Sequence, residues 1–161
     1  QIVVDRTGRH LVSLGDRYLG DIVRNWLSVE RRLELRDKVP GHQQDELNEF
    51  VRLNPILFEP NSTTLTADAA AVIEQLAARA LRLAGTSILI VGHTDSDGDA
   101  AANQRLSVGR AAAVLNALVA QGLAADSLRS EGRGAQNPVL GPDGIEDKSA
   151  SRRVEFIVTA I

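Results

Sequence analysis

This 161-residue chain has no cysteine and no methionine, one Trp, one Tyr and three Phe. Without cysteine there can be no disulfide, no thiolate nucleophile and no cysteine-ligated metal. So few aromatic residues argue against a transmembrane barrel, which sets aromatic girdles at both membrane interfaces. No apolar run approaches the roughly 18 residues that cross a bilayer as a helix. Charge of one sign is also missing: 18 basic side chains face 21 acidic ones, for a net charge of −3. Nucleic acid is therefore not an expected partner, because it calls for a basic face. A chain that starts at Gln1, with neither an initiator Met nor a signal peptide, is expected to be a piece of a longer, membrane-anchored protein.

What is present is a hydrophobic content of 43%, enough for one packed domain and a modest extension. Residues 1–51 read as the extension. Ile2-Val3-Val4 and His10 to Leu14 flank Arg6-Thr7-Gly8-Arg9, the pattern of a hairpin. Leu19, Ile22, Val23, Trp26, Leu27 and Leu33 recur near helical spacing and predict an amphipathic helix over 16–38. Its mixed charges favour a packing or oligomer face over a membrane surface. Pro40-Gly41 breaks the chain, and 43–53 is a second short helix or a linker. Residues 52–161 read as the main domain, with predicted strands over 53–58, 88–91, 127–131 and 153–159. Predicted helices over 66–84, capped by Thr66 and stopped by Gly85, and over 100–121, stopped by Gly122, separate the first three. The expected fold class is α+β: a two-layer sandwich in β-α-β-α-β-β order, with two helices on one face of a mixed sheet of about four strands.

The richest motif is Gly92-His93-Thr94-Asp95-Ser96-Asp97-Gly98, followed by Asn103, Leu106-Ser107 and Arg110. It closes the apolar run 87–91 and opens an alanine-rich helix, so Asp95 sits at a strand end, where a rigid support can aim a carboxylate at a ligand. Arg110 borders the core stripe of Ala111, Val114, Leu115 and Leu118. A guanidinium there requires a partner, because an unpaired buried charge is costly. Two arrangements satisfy it. Asp95 and Arg110 can form an ion pair that locks strand to helix, or they can stand apart and grip the ammonium and carboxylate of an amino acid.

Gly-His-Thr-Asp with Asn103-x-x-Leu106-Ser107-x-x-Arg110-Ala111 resembles the OmpA-like domain of OmpA-type proteins, peptidoglycan-associated lipoproteins and flagellar stator proteins. Leu57-Phe58-Glu59-Pro60-Asn61-Ser62 is similar to that family's first strand and ligand-side loop. Gly132-x-Gly134 with Pro138 matches its glycine-rich turn, and Ser151 to Phe156 its last strand. The resemblance covers 54–161. It implies non-covalent binding of peptidoglycan through the diaminopimelate of the stem peptide, without catalysis or a cofactor, in the periplasm or cell envelope, as the soluble part of an anchored protein with room for envelope protein partners. Carried over by residue, Asp95 matches the carboxylate that holds the ligand ammonium and Arg110 the arginine that holds its carboxylate. Asn103 and Arg152 are polar neighbours, and Thr94, Phe58, Glu59 and Asn61 complete the expected site. Ser151 stands where the family usually carries Asn, and Glu59 where a shorter Asp is common. The alternative is a docking module whose cleft takes a partner's carboxylate or acidic segment.

Other chemistries fit less well. Asp95, Asp97 and Asp99 alternate like a calcium loop, but Gly98 stands at the fourth rather than the sixth position and Leu106 at the twelfth, where a bidentate Glu belongs. His93 lies far in sequence from His10 and His42 and is expected to pack at a strand end with a backbone hydrogen bond. No nucleophile elbow, zinc-protease motif or P-loop is present. Hydrolysis would require Glu59 and Asp95 to meet as two carboxylates with separated pKa values.

Overall fold

The computed structural model describes residues 40–83 and 85–161. The hairpin and helix expected over 1–38 lie outside them. Contacts group Pro40–Ile161 into one compact unit.

Helix α1 (Pro40–Leu53) opens the unit, α2 (Ala69–Ala80) follows, and β1 (Thr86–Gly92) runs into the long α3 (Ala100–Ala120). A 3-10 turn (Ala125–Ser127) leads to β2 (Leu128–Gly132), and the single-turn α4 (Lys148–Ser151) leads to β3 (Val154–Ala160). The sheet order is β2-β1-β3, with β1 parallel to β2 and antiparallel to β3. Ile90 sits across from Ser130 on one side and Phe156 on the other. Alternation sends Ile88, Ile90, Leu128, Phe156 and Val158 to the helical face, where they join Ile73, Leu76, Val114 and Leu118 in the core.

Among the described residues the sheet has three strands, not four. Residues 53–58 were expected to be the first strand, yet only Phe58 is paired, by an isolated bridge to Leu65. The outer edge of β3 is satisfied differently. Asn48 on α1 donates through Nδ2 to the Phe156 carbonyl and accepts from the Phe156 amide through Oδ1, both at 2.8 Å, while the Val158 amide donates to Gln44 Oε1 at 3.1 Å. Side-chain amides thus stand in for a neighbouring strand and cover the edge. The same helix buries Leu47, Phe50 and Val51 in the core. The compact unit therefore starts at Pro40, ahead of the division expected at 51/52, because α1 supplies both core and edge.

Helix boundaries follow local chemistry. The Ala69 amide donates to Thr66 Oγ1 at 3.3 Å, so Thr66 closes the first turn although the regular helix begins at Ala69. Asp99 caps α3 by accepting from the Ala102 amide at 2.7 Å, and Gly122, at φ 100°, follows its end. A close approach fixes α3 against β1: a Cβ on Gly92 would lie 2.2 Å from the Ser107 carbonyl oxygen. Only glycine admits that contact.

Candidate functional site

Asp95 lies just past the end of β1, 9% exposed, and its carboxylate is held from two sides. Arg152 Nη1 donates to Oδ2 at 2.6 Å, and the Asp97 amide donates to Oδ1 at 3.2 Å. Thr94 is buried, with its hydroxyl on the Asp95 carbonyl at 3.0 Å and its amide on the Gly134 carbonyl at 2.9 Å. Asn103, one turn into α3, donates to the carbonyls of Asp95 and Asp97 at 3.3 and 2.8 Å. Its role is to hold the loop's shape. The fully buried Ser107 accepts from the Gly134 amide at 2.9 Å and so ties the helix to the glycine turn that supports Thr94.

Arg110 projects from the same helix, half-buried, and its Nε donates to the Ser62 carbonyl at 3.0 Å. Its guanidinium lies over the Phe58 ring, 5.0 Å from the centroid. The Asp95–Arg110 ion pair is not formed: the carboxylate pairs with Arg152, and among the described residues no carboxylate is in ion-pair contact with Arg110. Burial pushes the Arg110 pKa below its ordinary value, the nearby Arg152 cation adds to that, and Asp95 opposes it. One carboxylate and two guanidiniums therefore share a small volume, leaving one positive charge over.

Of the eight expected site residues, the structure brings together Asp95, Thr94, Asn103 and Arg152, and it stacks Phe58 on Arg110. Glu59 and Asn61 are exposed in the turn that presents the Ser62 carbonyl, with Asn61 at φ 51°. Among the described residues no hydrogen bond or ion pair joins their side chains to the Asp95 cluster.

Two further contacts bound the site. Lys148 Nζ donates to Asp97 Oδ1 at 2.6 Å, and the amide and hydroxyl of Ser96 donate to Glu146. Glu146 and Lys148 carry no sequence signal, because both fall in the Gly, Pro and Asp-rich stretch ahead of β3, which has no periodicity. The three alternating acids go to three separate partners: Asp95 to Arg152, Asp97 to Lys148 and Asp99 to its helix cap. His93 also finds a different partner from the backbone expected for its ring. Its Nε2 lies 2.8 Å from Glu155 Oε2, while its own amide donates to the Arg153 carbonyl.

The fold and its contacts define a small α+β domain with a cluster of charged side chains at the end of β1. A model of the OmpA family matches residues 57–152, and the chain belongs to that family, whose domains generally associate with peptidoglycan. It is 33% identical over 108 residues to "Probable lipoprotein YiaD" of Escherichia coli, covering 67% of this chain and 49% of that protein. It is also 33% identical over 123 residues to outer membrane protein A of Escherichia fergusonii, covering 70% and 51%. The chain thus spans about half the length of these relatives. The C-terminal domain of Helicobacter pylori MotB superposes with a TM-score of 0.58 at 26% identity, covering 66% of this chain and 84% of that one. The peptidoglycan-associated lipoprotein of Burkholderia pseudomallei shares the fold, with a TM-score of 0.54, 24% identity and coverage of 65% and 88%.

Proposed function

We propose that this domain binds peptidoglycan non-covalently by gripping the free amino-acid end of the stem-peptide diaminopimelate, and so tethers a longer envelope protein to the cell wall on the periplasmic side. The observation that carries this reading is Arg110, a half-buried guanidinium whose found partners are a backbone carbonyl and an aromatic ring. A ligand carboxylate supplies the missing counter-charge, in the paired planar geometry that a guanidinium offers. Asp95, fixed beside it by Thr94 and Asn103, takes the ligand ammonium. Arg152 already donates to one Asp95 oxygen and can turn toward the ligand carboxylate, because its side chain is 51% exposed. The reading is one of binding without turnover.

Retention on purified sacculi, competed with free diaminopimelate, tests it. The full chain is expected to bind sacculi and be displaced by the free amino acid, and Arg110→Ala to remain in the supernatant. Retention that diaminopimelate does not reduce overturns this assignment and favours docking to a partner protein.

A further inference from the structure

The two edges of the sheet are treated differently. Side-chain amides of α1 cover the outer edge of β3, whereas β2, among the described residues, has β1 as its one strand neighbour. The Arg133 amide donates to the Gly92 carbonyl at 2.9 Å. The alternation of a parallel ladder therefore turns the backbone groups of Arg129 and Glu131 toward β1 and those of Leu128, Ser130 and Gly132 outward. Two of the outward carbonyls are held from within the chain: Arg129 Nη1 donates to Leu128 at 2.8 Å and Gln104 Nε2 to Gly132 at 2.6 Å. Among the described residues no group pairs with the amide or carbonyl of the exposed Ser130 between them. Helix α3 leaves this edge clear. A Cβ on either Gly92 or Gly132 would strike its backbone, and those two glycines face each other across the β1–β2 pair, so the helix rides over the gap between the strands and not over the rim. A strand edge open in this way is a template for another strand.

We infer that β2 is the seam of a homodimer, in which the outer edges of two copies pair antiparallel about a two-fold axis at Ser130 and join their sheets into one. The charges select both the occupant and the register. Outward-facing residues must meet outward-facing residues, so an axis that keeps most of β2 paired falls at Arg129, Ser130 or Glu131. An axis at Arg129 sets that guanidinium opposite its own copy, and an axis at Glu131 does the same to two carboxylates. With the axis at Ser130, Arg129 of each copy stands opposite Glu131 of the other, on the face away from the helices, and the two Ser130 residues exchange a pair of amide-to-carbonyl hydrogen bonds. The strand thus carries a self-complementary charge pattern, which a second copy satisfies twice. Arg129 is exposed and donates to the Asp126 and Leu128 carbonyls, and Glu131 pairs with the half-exposed Arg133 at 2.6 Å. Both can turn to the new partner without stranding a buried charge. Because β1 runs parallel to β2, the axis sends the two Asp95 clusters to opposite ends of the joined sheet, clear of the seam.

Sedimentation equilibrium on the full chain tests this over about a thousandfold range of concentration. The parent is expected to follow a reversible monomer–dimer equilibrium. Arg129→Glu and Glu131→Arg each set like charges opposite each other twice in the dimer, and each is expected to weaken association about tenfold or more. The double variant Arg129→Glu/Glu131→Arg reverses both charges and is expected to return to within about threefold of the parent. Ser130→Pro removes an outward N–H that β1 does not use, and is expected to give a folded monomer at every concentration. Melting temperatures identify any variant that fails to fold, and the folded ones decide. A parent that stays monomeric overturns the seam and leaves β2 as an edge for a different partner. A dimer that Ser130→Pro and the single charge reversals leave intact also overturns it, and assigns association to another face. So does a folded double variant that stays as weakly associated as the single ones.

Discussion

Arg110 and Glu155 show how one side chain's surroundings set its role. If Arg110 grips a carboxylate, Arg110→Lys is expected to fail almost as badly as Arg110→Ala, since an ammonium cannot reproduce two parallel N–H contacts. The loss is expected to be about 2–5 kcal/mol of diaminopimelate binding, read by calorimetry. A lysine variant that retains parental affinity would show that charge alone suffices. Asp95→Asn is expected to abolish binding as well. Its stability cost should be small, about 0–1 kcal/mol by denaturant titration, because the Arg152 side of that ion pair is half-exposed. Glu155 is different, with no part in the grip. The hydrogen bond from His93 holds its carboxyl down to about 2, with Arg153 assisting against the effect of burial. A depressed carboxyl stabilises the fold above its unfolded pKa, and that contribution fades as pH falls from about 4.5 toward 2. With the Glu155 side chain 39% exposed, screening leaves about 1–2 kcal/mol. Thermal melts between pH 5 and 2 are expected to show this acid limb, and Glu155→Gln to flatten it.

At the scale of elements, the closest fit is between β1, β2 and α3. A Cβ on Gly132 would lie 2.3 Å from the Val108 amide nitrogen, and one on Gly92 would lie 2.2 Å from the Ser107 carbonyl oxygen. Both obstacles are helix backbone, which cannot swing aside. Gly92→Ala is expected to cost about 3 kcal/mol and to lower Tm by about 10 °C. Gly41→Ala, in the first turn of α1 with nothing near the new methyl, is expected to raise stability by about 0.5–1 kcal/mol. Equal melting of the two variants would contradict this account of the packing. These elements were also the ones most legible in sequence. β1, α3 and β3 carry strong periodicity and clear stops, and a capping Asp99 and terminal Gly122 bracket α3. The segment 53–58 misled because its apolar residues match a short strand, and no local signal says that α1 amides will satisfy β3 instead. Within the site, Asp95, Thr94 and Asn103 fall together because they share one strand–helix junction. The partner of Asp95 was not legible: Arg152 and Arg110 were both available, and only the folded path of the 139–152 stretch chooses between them.

For the whole molecule, the question is where the folding unit ends. Three apolar side chains of α1, Leu47, Phe50 and Val51, are at most 8% exposed, and Asn48 and Gln44 complete the β3 edge. At about 2 kcal/mol for each buried side chain, removing them withdraws roughly 6 kcal/mol, comparable to the total stability of a small domain. A chain shortened to begin at Asn54 keeps every residue of the charged cluster but is expected not to fold, as judged by circular dichroism and by the absence of a cooperative melt. A chain beginning at Pro40 is expected to melt cooperatively and to bind sacculi as the full chain does. The boundary is sharp because α1 supplies hydrogen bonds that water alone would otherwise provide, at an edge open to pairing with another chain. Asn48→Ala in the full chain isolates that contribution: it is expected to cost about 1–3 kcal/mol, since it strips one partner from two backbone groups. If the chain starting at Asn54 folds and binds, α1 is an appendage after all. If the chain starting at Pro40 folds but no longer binds, the ligand site draws on residues 1–39.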